Sequence, residues 1–487
     1  MVSVVHGETP ADRFLRSGIL VLCLAVFLLV PLRIVSYGYL PPDDALRHAA
    51  HAVDGRDWSE VILLNPEFRP GTDSHPGWHR FLRAVHVRTG WPPSALVDFS
   101  VLLAFLTFTV AGLIAFGNPP AWLLACAVMA VIEPALFQRL LMGRPVFFSM
   151  TALLIMLCLW TRARPARWWV EALVGLSAFT VSLVMHPSAW YLWLIAVLPL
   201  AACRRWRSLL VMAAALVASI AAASVVSGWY NTLLVPLLEL KHALFQADAV
   251  GSRLVTELQP SGGAYSSLVV VALLLMARCL RGANLRAEIF QVDFCLMLVA
   301  WMMGLFVVRF WTDWGLPAMA IWTSRQIRDG LELKPSGLAR HWDTIGLVGL
   351  AVGVFYLGVT ANVEGRYTQA LKSPALIGPI GELAAELPED GGVLYAGDMG
   401  VFYAIYYRLP HARFRYSTAF EIGMMPPEDL NVLRAIQSSG GVRAYKPWFD
   451  KMTSKDRIFV NAPVKPAWPG MEFTDFYGAW MGRKIVR

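Results

Sequence analysis

The segment Pro41-Pro42-Asp43-Asp44-Ala45-Leu46-Arg47-His48-Ala49-Ala50-His51 gathers two carboxylates, a guanidinium and two imidazoles within one short stretch. Pro42 followed by acids is a helix-start signal, so Asp43 is expected to cap a helix that begins there. Helical spacing then sets Asp44, Arg47, His48 and His51 on one face. A carboxylate on such a face can take the proton of an attacking hydroxyl, with its charged neighbours tuning its affinity for that proton. Asp44 is the expected base and Asp43 its alternate. Asp43, Asp44 and His48 also offer ligands to a divalent cation, Mg or Mn. The bland reading is a solvated, N-capped helix with local ion pairs.

A second cluster follows at Gly71-Thr72-Asp73-Ser74-His75-Pro76-Gly77-Trp78-His79. His75 and His79 are four apart with Asp73 close by, which is metal-ligand spacing. Pro76 and Gly77 stand between them, so spacing alone does not assure a shared helical face. A loop anchored by Trp78 at a membrane interface is the alternative.

The elements that must hold these residues are set by hydropathy. The 487 residues are 57% hydrophobic and only 16% charged, with a mean hydropathy of +0.52. Soluble domains carry about 25% charge. A soluble enzyme, a disordered scaffold and a disulfide-rich secreted protein are therefore excluded. Apolar blocks suggest about eleven transmembrane helices, near 18–38, 96–116, 121–138, 146–161, 169–186, 189–203, 208–226, 265–281, 289–309, 311–325 and 343–361. The six cysteines lie in or beside these blocks and form no CxxC, which disfavours disulfides and a thiolate metal site.

Placing the N-terminus in the cytoplasm puts fifteen Lys and Arg on inner segments and five in the short outer connections. The net charge of +8 is thus read as topology, with no nucleic-acid partner implied. Outer loops at 39–95 and 227–264 then face the same side as a polar tail, 362–487. In that tail 28 of 126 residues are charged, against 48 of 361 before it, which marks a domain boundary. The first part, 1–361, is expected to be the transmembrane domain. The tail is expected to be a small extracytoplasmic (periplasmic) α/β domain, with strands at 392–396, 415–420 and 457–461 and helices at 401–409 and 427–437. Its aromatic run Phe402, Tyr403, Tyr406 and Tyr407 reads as core sooner than as a sugar platform.

Charged residues at a membrane edge are functional candidates. Glu133, Arg139, Arg144, His186, Arg309 and Asp313 all fall at the outer edge, the side of Asp43 and Asp44. Arginine suits a phosphate because its planar fork donates two parallel hydrogen bonds. Arg144 and Arg309 are the first choices, with Arg139 and His186 beside them. Ion pairs of Glu133 with Arg139 and of Arg309 with Asp313 are the structural alternative.

An acid-rich start to the first outer loop, directly after the first span, resembles the GT-C superfamily of membrane glycosyltransferases. Asp43-Asp44-Ala45-Leu46-Arg47-His48 looks like the motif of oligosaccharyltransferase catalytic subunits. It is also similar to the acidic pair of protein O-mannosyltransferases and aminoarabinose transferases. Gly143-Arg144-Pro145 resembles an Arg-Pro element of GT-C-like bacterial proteins, and Thr256-Glu257-Leu258-Gln259-Pro260 resembles an acid-bearing loop near the oligosaccharyltransferase site. The resemblance implies a GT-C-like fold and an inverting glycosyltransferase in the cytoplasmic membrane. It also implies a polyprenyl-phosphate sugar donor and a glycan, lipid or protein acceptor. Site residues on this reading are Asp44, Asp43, Arg144, Arg309, Arg139 and His186, with Arg47, His48, His51, Glu133 and Glu257 as further candidates. A glycan polymerase or ligase, or a non-enzymatic protein of envelope glycan assembly, is the alternative. A transporter would carry midplane charges and half-to-half symmetry, and the sequence has neither.

Overall fold

The computed structural model describes residues 10–37, 40–41, 44–162, 164–245, 265–332, 338–361, 380–418, 420–439 and 441–485. Asp43, Glu257 and the expected boundary near 362 lie outside the described residues.

The described chain is mostly helical. Among the described residues four helices are long and apolar enough to cross a bilayer: Ser17–Ser36, Pro93–Phe116, Trp168–Met185 and Trp206–Ser227. Shorter apolar helices are Pro119–Ile132, Val146–Trp160, Ala189–Ala202, Tyr265–Leu280, Val292–Gly304 and Thr344–Thr360. Leu173, Leu210, Val217 and Val225 stand exposed on this bundle. Outward apolar side chains of this kind are what lipid covers, and the protein is an integral membrane protein. Between two of the long helices the contact is small and polar. Thr180 donates to Ser219 at 3.0 Å, and Ser219 to the Leu176 carbonyl at 3.2 Å, which lets the backbones approach.

Two expected spans differ in form from a single lipid-facing helix. The block 121–138 breaks at Glu133-Pro134 into the helices Pro119–Ile132 and Ala135–Leu140, because Pro134 cannot continue the hydrogen-bond ladder. The block 311–325 is an interior element. It begins as a π-helical turn, Trp311–Gly315, and continues as the helix Leu316–Glu332. Residues 313–326 are buried without a break. Surrounded by protein, this helix carries Arg325 paired with Asp293 at 2.7 and 2.8 Å, a charge that lipid would not tolerate.

The C-terminal region holds a five-stranded sheet in the order β2-β1-β3-β5-β4. The strands are β1 Val393–Ala396, β2 Arg415–Tyr416, β3 Arg457–Val460, β4 Met471–Phe476 and β5 Ala479–Lys484. β1 is parallel to β2 and β3, and the helix Met399–Arg408 forms the crossover to β2. β4 and β5 form a hairpin that sequence patterning passed over. Tyr477 and Gly478, at φ 56° and 83°, make the two-residue turn whose twist suits such hairpins.

This region is not a free appendage. Ile62 pairs in parallel with Tyr416, and the Leu63 amide donates to the Tyr416 carbonyl at 2.8 Å. Asn65 donates to the Met424 and Gly423 carbonyls at 2.7 and 2.9 Å. One contiguous apolar core runs from the first membrane helix into the sheet region, including Val26, Trp58, Phe402, Tyr416 and Met481.

Candidate active site

The helix Asp44–Asp54 is the centre of the site. The solvated reading fails, because Ala45 to Ala52 are buried without a break. Four small alanines on this helix, Ala45, Ala49, Ala50 and Ala52, let neighbouring elements close on it. These neighbours are the helices Pro76–Thr89, Pro93–Phe116 and Met399–Arg408.

Asp44 is held by three groups. Arg47 donates from Nε at 2.8 Å and Tyr403 from its hydroxyl at 3.1 Å, both to Oδ1. Arg144 Nε lies 3.3 Å from Oδ2. Arg144 reaches it from a sharp turn in which Gly143 adopts φ 63°, a conformation costly for side-chain-bearing residues. The Arg47 guanidinium also sits 4.0 Å over the Phe420 ring, and its side chain is 1% exposed.

Below Asp44 lies a chain of imidazoles. His75 caps the helix Pro76–Thr89, and Pro76 fills the first helical position, where no amide hydrogen is needed. Gly77 lets that helix meet the Val184 carbonyl, which any Cβ would approach to 2.2 Å. His79 thus falls in the first turn. Its Nδ1 is 2.8 and 2.9 Å from the Asp73 oxygens, and its Nε2 is 2.7 Å from His48 Nδ1. His48 meets His75 edge-on at 5.1 Å, and His75 stacks on His186 at 5.4 Å. His186 is buried, with Ser149 at 3.1 Å from Nδ1 and Ser188 at 3.2 Å from Nε2.

Burial pushes His48, His51 and His75 well below the ordinary imidazole range, and the Arg47 charge adds to it. Burial alone would raise the Asp73 carboxyl, but His79 and His51 outweigh it and hold that group below the usual carboxylate range.

Arg139 and Arg309 share a different partner from the one expected of Arg139. Arg139 makes a forked pair with Asp313 at 2.8 and 3.1 Å, and Arg309 Nε lies 3.4 Å from the same carboxylate. Glu133 instead accepts a hydrogen bond from Ser267. The Arg309 side chain is 38% exposed and that of Arg139 is 6%, so Arg309 is the more accessible to a ligand.

Sequence reasoning missed Tyr403 as a partner of Asp44, and it missed Glu239. Glu239 lies on the helix Val235–Phe245 and accepts from Ser74. It is half-buried. Burial, then the nearby Glu421, raise its carboxyl to about 8. Arg309 and Arg47 both lie close enough to act on it. Its surroundings in the sequence, a Leu-rich run, gave no sign of these neighbours.

No protein-family model matches the chain, and no curated protein does. The arrangement of helices and C-terminal sheet is shared with a solved structure. The chain is similar over 97% of its length to the crystal structure of ArnT from Cupriavidus metallidurans in the apo state, of which it covers 98%. The TM-score is 0.52 and the sequence identity 15%, a likeness of fold.

Proposed function

We propose that this chain is an inverting glycosyltransferase that moves a sugar from a polyprenyl-phosphate carrier to an acceptor hydroxyl. The reading places it in the cytoplasmic membrane, with the N-terminus inside and the C-terminal domain outside. The observation that carries it is the meeting of Asp44 and Arg144 at 3.3 Å, a candidate base beside a candidate phosphate ligand. The ArnT-like fold supports a lipid-linked donor.

In the proposed step the acceptor oxygen attacks the anomeric carbon, and its proton passes to the Asp44 carboxylate. Asp43 is the alternate base. The bond from that carbon to the phosphate oxygen breaks on the opposite side, and the phosphate leaves with the electron pair. Arg144 and Arg309 neutralise that charge, with Arg139 and His186 supporting them. Positioned proton transfer of this kind is worth about 10² to 10⁴-fold. The Asp44–His48 pair does not suit Mg or Mn, because Asp44 already faces two guanidiniums and a phenol. No step is routed through a cation there. The acceptor is a glycan, a lipid or a protein, bound on the side of the C-terminal domain.

The test is complementation of a deletion strain in which the lipid-linked sugars are quantified. The unused donor should accumulate in the deletion strain and stay high with Asp44→Asn or Arg144→Met. Restoration of normal donor levels by both variants would sink the assignment.

A further inference from the structure

One ligand atom each from His51, Asp73 and His79 meet beneath the helix Asp44–Asp54, all within 4.8 Å of one another. They come from three places in the chain. His51 lies in the last turn of that helix, His79 in the first turn of the helix Pro76–Thr89, and Asp73 in the loop before it. The two imidazoles are buried, and Nδ1 of His51 has no hydrogen-bond partner among the described residues, a state that buried polar atoms rarely keep. The His51 ring is held flat against Trp58, with centroids 4.1 Å apart and planes 10° from parallel. The second nitrogen of His79 lies 2.7 Å from His48, the outer partner that metal-bound imidazoles ordinarily have.

We propose that His51, Asp73 and His79 bind one divalent transition-metal ion of the zinc class, with a water completing the tetrahedron. Two imidazoles and one carboxylate suit zinc, whereas magnesium prefers an octahedron of oxygens. The ion clasps the helix Asp44–Asp54 to the helix Pro76–Thr89. It thereby fixes the backbone that carries Asp44 and Arg47, so its role is positioning. The inference uses only these residues and does not depend on the identity of the donor.

The full-length protein, purified in detergent and dialysed against metal-free buffer, should hold about one zinc-class ion per chain by elemental analysis. His51→Gln and Asp73→Asn should each lose most of it. Chelator-stripped wild-type protein should unfold at a lower temperature, and stoichiometric zinc should restore it where magnesium does not. Stripped wild type and the variants should then unfold alike, which separates metal loss from misfolding. Unchanged metal content in the variants would overturn the proposal. So would equal stabilisation by zinc and magnesium, or no response of the stripped wild type to zinc.

Discussion

Tyr403 donates a hydrogen bond to Asp44 at 3.1 Å, although 359 positions separate them in the chain. One opens the helix Asp44–Asp54 and the other lies on the crossover helix of the C-terminal sheet. The sheet region therefore completes the surroundings of the candidate base.

Tyr403→Phe tests that relationship. A hydrogen bond to a charged group contributes about 1.5–3 kcal/mol, so sugar transfer should fall about ten- to a hundredfold. The ring remains in the core, so stability should fall by no more than the lost hydrogen bond, about 1.5–3 kcal/mol. Undiminished transfer in the variant would mean that the contact is only structural.

The two arginines on Asp313 should separate by assay. Arg139 and Asp313 are both buried, and removing one member of such a pair costs about 3–5 kcal/mol. Arg139→Met should therefore destabilise the protein strongly. Arg309→Met should leave thermal stability near wild type and raise the KM for the lipid-linked donor. Equal loss of stability in the two variants would contradict the role given to Arg309.

Glu239 makes a prediction about pH. Its folded-state value of about 8 lies above the ordinary 4.5, so between these pH values the folded protein holds a proton that the unfolded chain has lost. Stability then falls as pH rises through this window and levels off above about 8. Glu239→Gln removes the titrating group, so its unfolding temperature should depend less on pH across that range than that of wild type. Parallel curves for the two proteins would refute the assignment.

Gly77→Ala places a methyl group 2.2 Å from the Val184 carbonyl, a backbone atom that cannot swing away. Overpacking of this kind costs about 1–3 kcal/mol. The helix carrying His79 should shift from the helix Trp168–Met185, lowering both thermal stability and transfer. A variant as stable as wild type would show that the close approach is relieved at little cost.

The sequence by itself determined the membrane class, because runs of apolar residues must be shielded from water whatever their final arrangement. It also placed the start of the site helix near Asp44, through Pro42 and the acids after it, and it located most of the sheet region. These are local properties, set by hydropathy, periodicity and capping. The burial of 313–326 depends on which helices surround it, which composition does not show. Pairing depends on side chains meeting from distant positions. Arg139 therefore found Asp313 in place of Glu133, Tyr403 found Asp44, and Glu239 came to stand beside Glu421 and Ser74. His51, Asp73 and His79 were visible as residue types. Only the packing of the alanine-rich helix against the glycine-opened helix brought their ligand atoms within 4.8 Å.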